Sequence, residues 1–431
     1  MPRKMKESDS QLLGLLPSNW ECNVVRRYYN IILGKMLCPE KLDESYSLEK
    51  YYCAANVHFD GVSDNGLKAM WFSLSEKREY GVREGDLLVV EGGAGAGGAA
   101  IAGRQRGFVG VQNSVMIVRP KKDADVRLLK YWLQVAVPSG YIDCVCNRAT
   151  IPHFTKDKIG NMKIPYPPSA EQRRIAAYLD ERCAKIDGMI AEAKASIEDY
   201  KKWKQSLIEK VTLKGVGSAP LAAVSSDWVE QVPAHWRFMQ IRYLFELRDE
   251  RTEKPLSEVN LISLYTDKGV VQHCDLEKTT GNKAATADGY KLVYEDDIVV
   301  NIILCWMGAI GRSAYAGVTS PAYDVYRVKR QGEVLPRYYH YLFRTTAFSG
   351  ACYRRGRGIM MMRWRTYSDE FRSIKVPVPS YAEQEQIANY LDEKCAAIDK
   401  LVGEKEALIA DLEAYKKSLI FETVTGKREV A

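Results

Sequence analysis

A stretch of 38 residues from the middle of the chain returns at its end. Glu171 to Ile208 aligns with Glu383 to Ile420 at a constant offset of 212 residues, without a gap and with 20 identities in the 38 positions. Shared helix composition does not produce so many matches in one register. A chain that carries the same long element twice must pair the two copies or present each of them to a partner, and this constrains its architecture more than any local motif.

The repetition reaches further. Proline-punctuated segments precede both copies: Lys163-Ile164-Pro165-Tyr166-Pro167-Pro168 and Lys375-Val376-Pro377-Val378-Pro379-Ser380. Leu16-Pro17-Ser18-Asn19-Trp20 answers Val232-Pro233-Ala234-His235-Trp236, and Gly85-Asp86-Leu87-Leu88-Val89-Val90 parallels Asp296-Asp297-Ile298-Val299-Val300. A Gly-Arg pair follows in each half (Gly103-Arg104, Gly311-Arg312), then Tyr131 before Ser139-Gly140 and Tyr341 before Ser349-Gly350. The expected order is globular unit, long helix, linker, globular unit, long helix. This is an α+β (α/β) fold with two homologous globular domains, two long helices and a pseudo-two-fold internal repeat. The expected boundaries are 1–168 for the first domain, 169–216 for the first helix, 217–378 for linker and second domain, and 379–431 for the second helix. A chain of 431 residues is long enough for two core-bearing domains.

The helices can be read in detail. Ser169-Ala170-Glu171-Gln172 has the pattern of a capping box, and the prolines before it stop any earlier helical turn. Apolar residues then fall at Leu179, Cys183, Ile186, Ile190, Ala193, Ile197, Tyr200, Leu207 and Val211, a narrow coiled-coil seam. The second copy keeps Leu391, Cys395, Ile398, Val402, Ile409, Leu412 and Leu419. Gly188 and Gly403 each cost about 1 kcal/mol inside a helix without ending it. The seams can meet within one chain, antiparallel, or join two chains as a dimerisation coiled coil. Intrachain pairing is favoured, because the Gly-, Ala- and Ser-rich stretch from Leu213 to Ser226 lets the chain turn back.

Hydrophobic content of 46% and charged content of 27% exclude disordered and fibrous classes. The basic N-terminus, Met1-Pro2-Arg3-Lys4-Met5-Lys6, lacks the apolar stretch of a signal peptide, and no run reaches the roughly 18 apolar residues of a membrane span. The ten cysteines form no CxxC framework and read as buried thiols of a reducing cytoplasm. Positive charge is concentrated in the globular parts. Residues 1–168 hold 23 Lys and Arg against 18 Asp and Glu, and 240–378 hold 21 against 16, whereas 379–431 hold 7 against 11. Such clustering suits a polyanion, because each neutralised phosphate releases condensed counterions. There is no Asn-Pro-Pro-aromatic motif of an adenine methyltransferase and no Walker A lysine loop. Gly93-Ala94-Gly95-Ala96-Gly97-Gly98 satisfies GxGxxG after an apolar run, but the second half has Ile302 to Met307 at the same place, with no glycine ladder. A flexible loop is the expected reading.

Taken together, the Pro-x-Pro entry, the Glu-Gln pair, the spaced Ile and Leu of the long helix, the terminal Val424-Thr425-Gly426-Lys427 and the Leu213-to-Trp236 passage resemble type I restriction–modification specificity subunits. The match spans essentially the whole chain, in order and twice. The resemblance implies two target recognition domains, each reading half of a split double-stranded DNA sequence. It implies helices that hold these domains apart and dock two methyltransferase subunits, with restriction and motor subunits recruited through them. It also implies a chain without chemistry or cofactor of its own, S-adenosylmethionine, ATP and Mg being held by the partners, acting in a bacterial or archaeal cytoplasm away from any membrane. Two other readings stand beside it: a coiled-coil adaptor with two protein-binding ends, and a nucleotide-dependent enzyme resting on the glycine loop.

The strongest DNA-contact candidate lies between Ser349-Gly350 and the second helix. Arg354, Arg355, Arg357, Arg363 and Arg365, interspersed with glycine, can grip phosphates or read guanine edges bidentately. Its counterpart in the first half is Asn147, Arg148 and Thr150. Arg104, Gln105 and Arg106 form a further cluster, with Arg312 as its partner in the second half. Glu171, Gln172 and Tyr178, with Glu383, Gln384 and Tyr390, are candidates for two equivalent docking sites, because they recur in both copies. Self-packing and capping is the competing explanation for that recurrence. The five histidines show no metal spacing, and His153 and His340 read as structural.

Overall fold

The computed structural model describes residues 3–8, 13–121, 123–140, 153–255, 258–272, 289–358 and 364–430. It divides into two compact units: Met1–Ala193 with Ala407–Ala431, and Lys194–Glu406. Each unit is therefore assembled from one globular part, part of one long helix and part of the other.

The first unit contains β1 (Glu21–Val24), β2 (Tyr29–Leu33), β3 (Ser47–Tyr52), β4 (Lys68–Phe72), β5 (Leu87–Val90), β6 (Ala99–Ile101), β7 (Val109–Val111), β8 (Val115–Pro120), α1 (Val126–Ala136) and β9 (Lys163–Tyr166), followed by the start of α2 (Ser169–Lys214). Its main sheet is antiparallel, in the order β6-β5-β8-β2, with Ile117 opposite Leu88 on one side and Ile32 on the other. All four residues of β5 are buried. The period-two alternation of a strand explains the unbroken apolar run. Leu87 and Val89 enter the core shared with α1 and the long helices, while Leu88 and Val90 enter a second core under β3 and β7. A three-stranded sheet, β7-β3-β4, covers that second face.

The second unit repeats the plan with β10 (Arg237–Gln240), β11 (Phe245–Arg248), β12 (Ile298–Asn301), β13 (Ile310–Arg312), β14 (Tyr323–Val328), α3 (Pro336–Phe343), α4 (Thr346–Arg355), β15 (Lys375–Val378) and α5 (Tyr381–Val424). The order β11-β14-β12-β13 matches the first sheet strand for strand, and Val299 faces Val325. In both units the strand that opens the globular part pairs antiparallel with the strand that closes it, β1 with β9 and β10 with β15. The covering layer differs. The second unit has a hairpin of Ile262–Tyr265 with Gly269–Gln272 and a separate pair, Lys291–Val293 with Gly317–Thr319.

The long helices are uninterrupted at 46 and 44 residues, and Gly188 and Gly403 face open space within them. Their seams meet within the chain, antiparallel. In the first unit Lys416 Nζ bonds Asp187 Oδ1 at 2.6 Å; in the second Lys204 Nζ bonds Asp399 Oδ2 at 2.6 Å. The second pair is the repeat image of the first. Leu419, Ile420 and Val424 accordingly join the first core with Ile186 and Ile190, and Val211 and Leu213 join the second with Leu391 and Cys395.

The helix starts depart from expectation. Gln172 does not cap its own helix, and Pro168 holds the position where a hydroxyl would be needed. The capping box forms at the second helix instead: Ser380 Oγ accepts from Glu383 N at 3.3 Å, and Glu383 Oε2 accepts from Ser380 N at 3.0 Å. Each helix ends on a left-handed glycine, Gly215 (φ 78°) and Gly426 (φ 71°). At Gly426 a Cβ would lie 2.3 Å from Pro17 Cγ, so any side chain there would push the helix end off the opening segment of the first unit. The Gly93–Gly98 loop joins the antiparallel strands β5 and β6, so the strand–loop–helix context of a dinucleotide site is absent there.

Candidate nucleic-acid interface

In the second unit the arginine-rich segment leaves the C-terminal end of α4. Phe348, Ala351 and Cys352 anchor that helix in the core, and Arg354 and Arg355 occupy its last turn, where positive charge complements the helix dipole. Beyond it, Arg357 and Arg365 pair with each other, N to O at 2.9 and 3.0 Å in the two directions. Trp364 stacks on Tyr353 (ring centroids 5.3 Å apart) and donates its indole N–H to Tyr353 O at 2.9 Å.

Most of these arginines already face carboxylates. Arg355 grips Asp227 with two nitrogens, both at 3.0 Å, and Arg354 Nε reaches the same carboxylate at 3.3 Å. Those hydrogen bonds, Arg355's first, hold the Asp227 carboxyl below its ordinary range against the opposing effect of partial burial. Arg357 pairs with Glu370. Arg365 is exposed and has no ion pair among the described residues. Arg363, and Asn147, Arg148 and Thr150 of the first unit, lie outside the described residues.

In the first unit Arg104 and Arg106 are exposed with no ion pair among the described residues, whereas Gln105 accepts from Tyr52 OH at 2.9 Å and donates to Gly103 O at 3.0 Å. Arg312, their counterpart in the second unit, is ion-paired instead. Its guanidinium is held by Asp296 and Glu295, and its backbone N–H donates to His340 Nδ1 at 3.2 Å. His340 is structural: burial first, then Arg344 and Arg312, push its pKa down to about 3 and keep it neutral. His153 pairs with Glu91 at 3.2 Å. Among the described residues no cluster of His, Cys, Asp or Glu could hold a metal, and no helix is long and apolar enough to cross a membrane.

The recurring residues at the helix starts face inward. Gln172 is fully buried, accepting from Asp125 N at 3.0 Å and donating to Pro167 O at 2.8 Å. Gln384 repeats this with Leu335 N at 2.8 Å and Pro379 O at 2.9 Å. Each amide ties its long helix to the residue that precedes a short one, Asp125 before α1 or Leu335 before α3, so these buried glutamines are no part of a docking surface. Glu171 takes the indole N–H of Trp20 at 2.9 Å and Glu383 that of Trp236 at 3.1 Å. Tyr178 and Tyr390 are half-buried, with Arg182 and Lys394 over their rings.

Sequence reading missed three features. Asp227 and Glu370 are countercharges from other segments. Asp180 accepts from Tyr131 OH at 2.6 Å and from Arg127 at 2.9 Å; Asp392 does the same with Tyr341 OH, at 2.6 Å, and Arg337. The repeat markers Tyr131 and Tyr341 thus belong to a clasp between each globular part and its helix. Finally, large apolar side chains off the seam stay exposed at equivalent positions: Met189 (49%) and Leu401 (38%), Trp203 (53%) and Tyr415 (51%). That signal was legible in the aligned repeats.

Two homologous domains, each joined to paired long helices, define a duplicated chain. The sequence model of the family described as the type I restriction modification DNA specificity domain matches residues 51–198 and 233–409, which is most of the chain, and the chain belongs to that family. It is 23% identical over 446 residues to the type I restriction enzyme MjaVIII specificity subunit of Methanocaldococcus jannaschii, covering 99% of this chain and 97% of that one. It is 22% identical over 440 residues to the putative MjaX specificity subunit of the same organism, covering 97% and 96%. Among solved structures, a chain from a type I R-M system superimposes with a TM-score of 0.71 at 13% identity, covering 96% of this chain and 99% of that one. The HsdS subunit from Thermoanaerobacter tengcongensis gives 0.56 at 14% identity, covering 98% and 100%. These likenesses show the fold. The protein is a type I specificity subunit with DNA target recognition domains, which displaces the adaptor and nucleotide-enzyme readings.

Proposed function

We propose that the chain reads a bipartite double-stranded DNA target, one half-site per recognition domain, with residues 1–168 and 217–378 as reading heads and 169–216 and 379–431 as spacers. The observation that carries this reading is the repetition of a whole apparatus. The same four-stranded sheet, Glu–Trp bond, Gln latch and Asp–Tyr clasp occur once in each unit. Arg104 and Arg106 in one unit and Arg354, Arg355, Arg357 and Arg365 in the other are candidate contacts, together with Asn147, Arg148, Thr150 and Arg363. Two methyltransferase subunits dock on the long helices and bring S-adenosylmethionine; restriction and motor subunits, with ATP and Mg, join through them in the cytoplasm. The repeated exposed pairs Met189 with Tyr415 and Leu401 with Trp203 support two equivalent docking sites, one per unit. Aromatic anchors of this kind carry much of the binding energy in protein interfaces.

The test is the spacing of the target. Val211, Thr212 and Leu213 are buried in the second unit, so lengthening the helix there would disrupt a core. A heptad inserted in each helix, after Ala193 and after Glu406, keeps the seam in phase and adds about 10 Å, roughly three base pairs at 3.4 Å each. Methylation mapping should return the same half-sites with a correspondingly longer gap. Altered half-site bases, or an unchanged gap, would overturn the reading.

A further inference from the structure

The carboxylate that holds Arg354 and Arg355 borders a cavity of about 490 Å³ lined by Val224, Ser225, Ser226, Asp227, Arg355, Ser373 and Lys375. Its polar wall consists of one guanidinium, one ammonium, three hydroxyls and a single carboxylate. Apart from Asp227 and Ser373, whose hydroxyl already donates to Glu370 O at 2.6 Å, these groups can donate a hydrogen bond, and the two cations are the residue types that bind phosphate. Asp227 reaches this wall from the connector between α2 and β10. It meets Arg355 through two parallel N–H to O bonds, the geometry a phosphate uses with arginine. The carboxylate is itself 45% exposed and the Arg355 side chain 24% exposed, so solvent and ligand can reach both. Lys375 is exposed and has no ion pair among the described residues; its backbone carbonyl is fixed by Trp228 Nε1 at 3.0 Å.

We propose that this cavity is a seat for a DNA backbone phosphate, and that Asp227 fills the phosphate's place on Arg355 until DNA arrives. The proposal rests on the DNA-specificity reading and adds to it a residue that opposes binding. When a phosphate enters between Arg355 and Lys375, Asp227 gives up its two bonds to Arg355 and its one to Arg354 and returns to solvent. The cost of that exchange falls on every sequence alike, because no base edge is involved. Asp227 therefore lowers affinity for DNA in general and leaves the ranking of sequences unchanged.

The experiment uses the full chain assembled with its methyltransferase subunits, titrated with cognate and scrambled duplexes at several salt concentrations. Asp227→Asn should tighten binding to both duplexes by about three- to tenfold at low salt, with a steeper salt dependence. Lys375→Gln, which leaves the Arg355–Asp227 clasp intact, should loosen both and lower the salt slope by about one. It should also remove most of the gain when combined with Asp227→Asn. Asp369→Asn, a neutralised carboxylate whose side chain is 99% exposed and which lies outside the cavity, should leave affinity unchanged within twofold. The seat is overturned if Asp227→Asn binds like the parent or more weakly, or if Asp369→Asn reproduces its gain. It is equally overturned if Lys375→Gln has no effect, a readout that stands even if Asp227→Asn unfolds. A parental complex that bound cognate and scrambled duplexes alike would instead overturn the DNA-specificity reading.

Discussion

Glu383 shows how one side chain can serve a helix end and a domain core together. It caps its own helix through Ser380, takes the indole N–H of Trp236 and pairs with His235 Nε2 at 2.6 Å. Burial alone would raise its pKa, but the donors from Ser380, His235 and Trp236 outweigh it and pull the carboxyl down to about 2. A carboxyl held below its unfolded value of 4.5 stabilises the fold fully above that pH, and the contribution is lost as pH falls toward 2. Glu383→Gln should therefore destabilise the second unit by about 1–3 kcal/mol at neutral pH. It should also remove part of the loss of stability between pH 4.5 and 2, as read by urea unfolding across pH. The arginines divide on the same logic of partners. Arg104→Ala and Arg106→Ala should each weaken binding to all duplexes and lower the salt slope by about one. Arg312→Ala, already neutralised by Asp296, should leave the slope where it is.

At the scale of elements, the join between globular part and helix is rigid and polar. Gln172 and Gln384 are buried latches, and Asp180 and Asp392 clasp a tyrosine and an arginine from α1 and α3. The tyrosine hydroxyls stay protonated, their pKa values raised by burial first and then by the neighbouring aspartate. In the proposed reading such a join sets the angle between recognition domain and spacer, with Asp180 and Asp392 as positioning residues. Asp392→Ala should leave the affinity for a single half-site within about threefold of the parent, while relaxing discrimination among gap lengths. Competition binding with targets whose gaps differ by one base pair would show it. Asp392→Glu should recover part of the discrimination. Equal loss for every gap length would mean that the clasp merely stabilises the domain.

The whole molecule is two copies of one device, and its partners should be counted in twos. Met189 and Tyr415 are exposed in the first unit, and Leu401 and Trp203 in the second. Scattered exposed apolar residues need no explanation, but their recurrence under the repeat does. Trp203→Ala or Tyr415→Ala alone should yield complexes with one methyltransferase copy, and the double variant complexes with none, as measured by native mass spectrometry. Two copies retained in the double variant would remove these side chains from the docking surface.

Duplication, the long helices and their seams, and the absence of catalytic motifs were legible in the residues, because periodicity and repetition are properties of the chain itself. The seams were correct in residue identity, from Cys183 to Ile197 and from Leu391 to Ile398. Antiparallel pairing within the chain was favoured by the sequence and settled by Lys416–Asp187 and Lys204–Asp399. The tertiary structure alone decided what the recurring polar residues do. Glu171, Gln172, Glu383 and Gln384 look like surface in a string of letters, yet their partners lie in segments distant along the chain, such as Trp20, Asp125, Trp236 and Leu335. The same distance hid Asp227 from Arg355, 128 positions away. Whether a charge is free or matched depends on what the fold brings to it, and no local pattern encodes that.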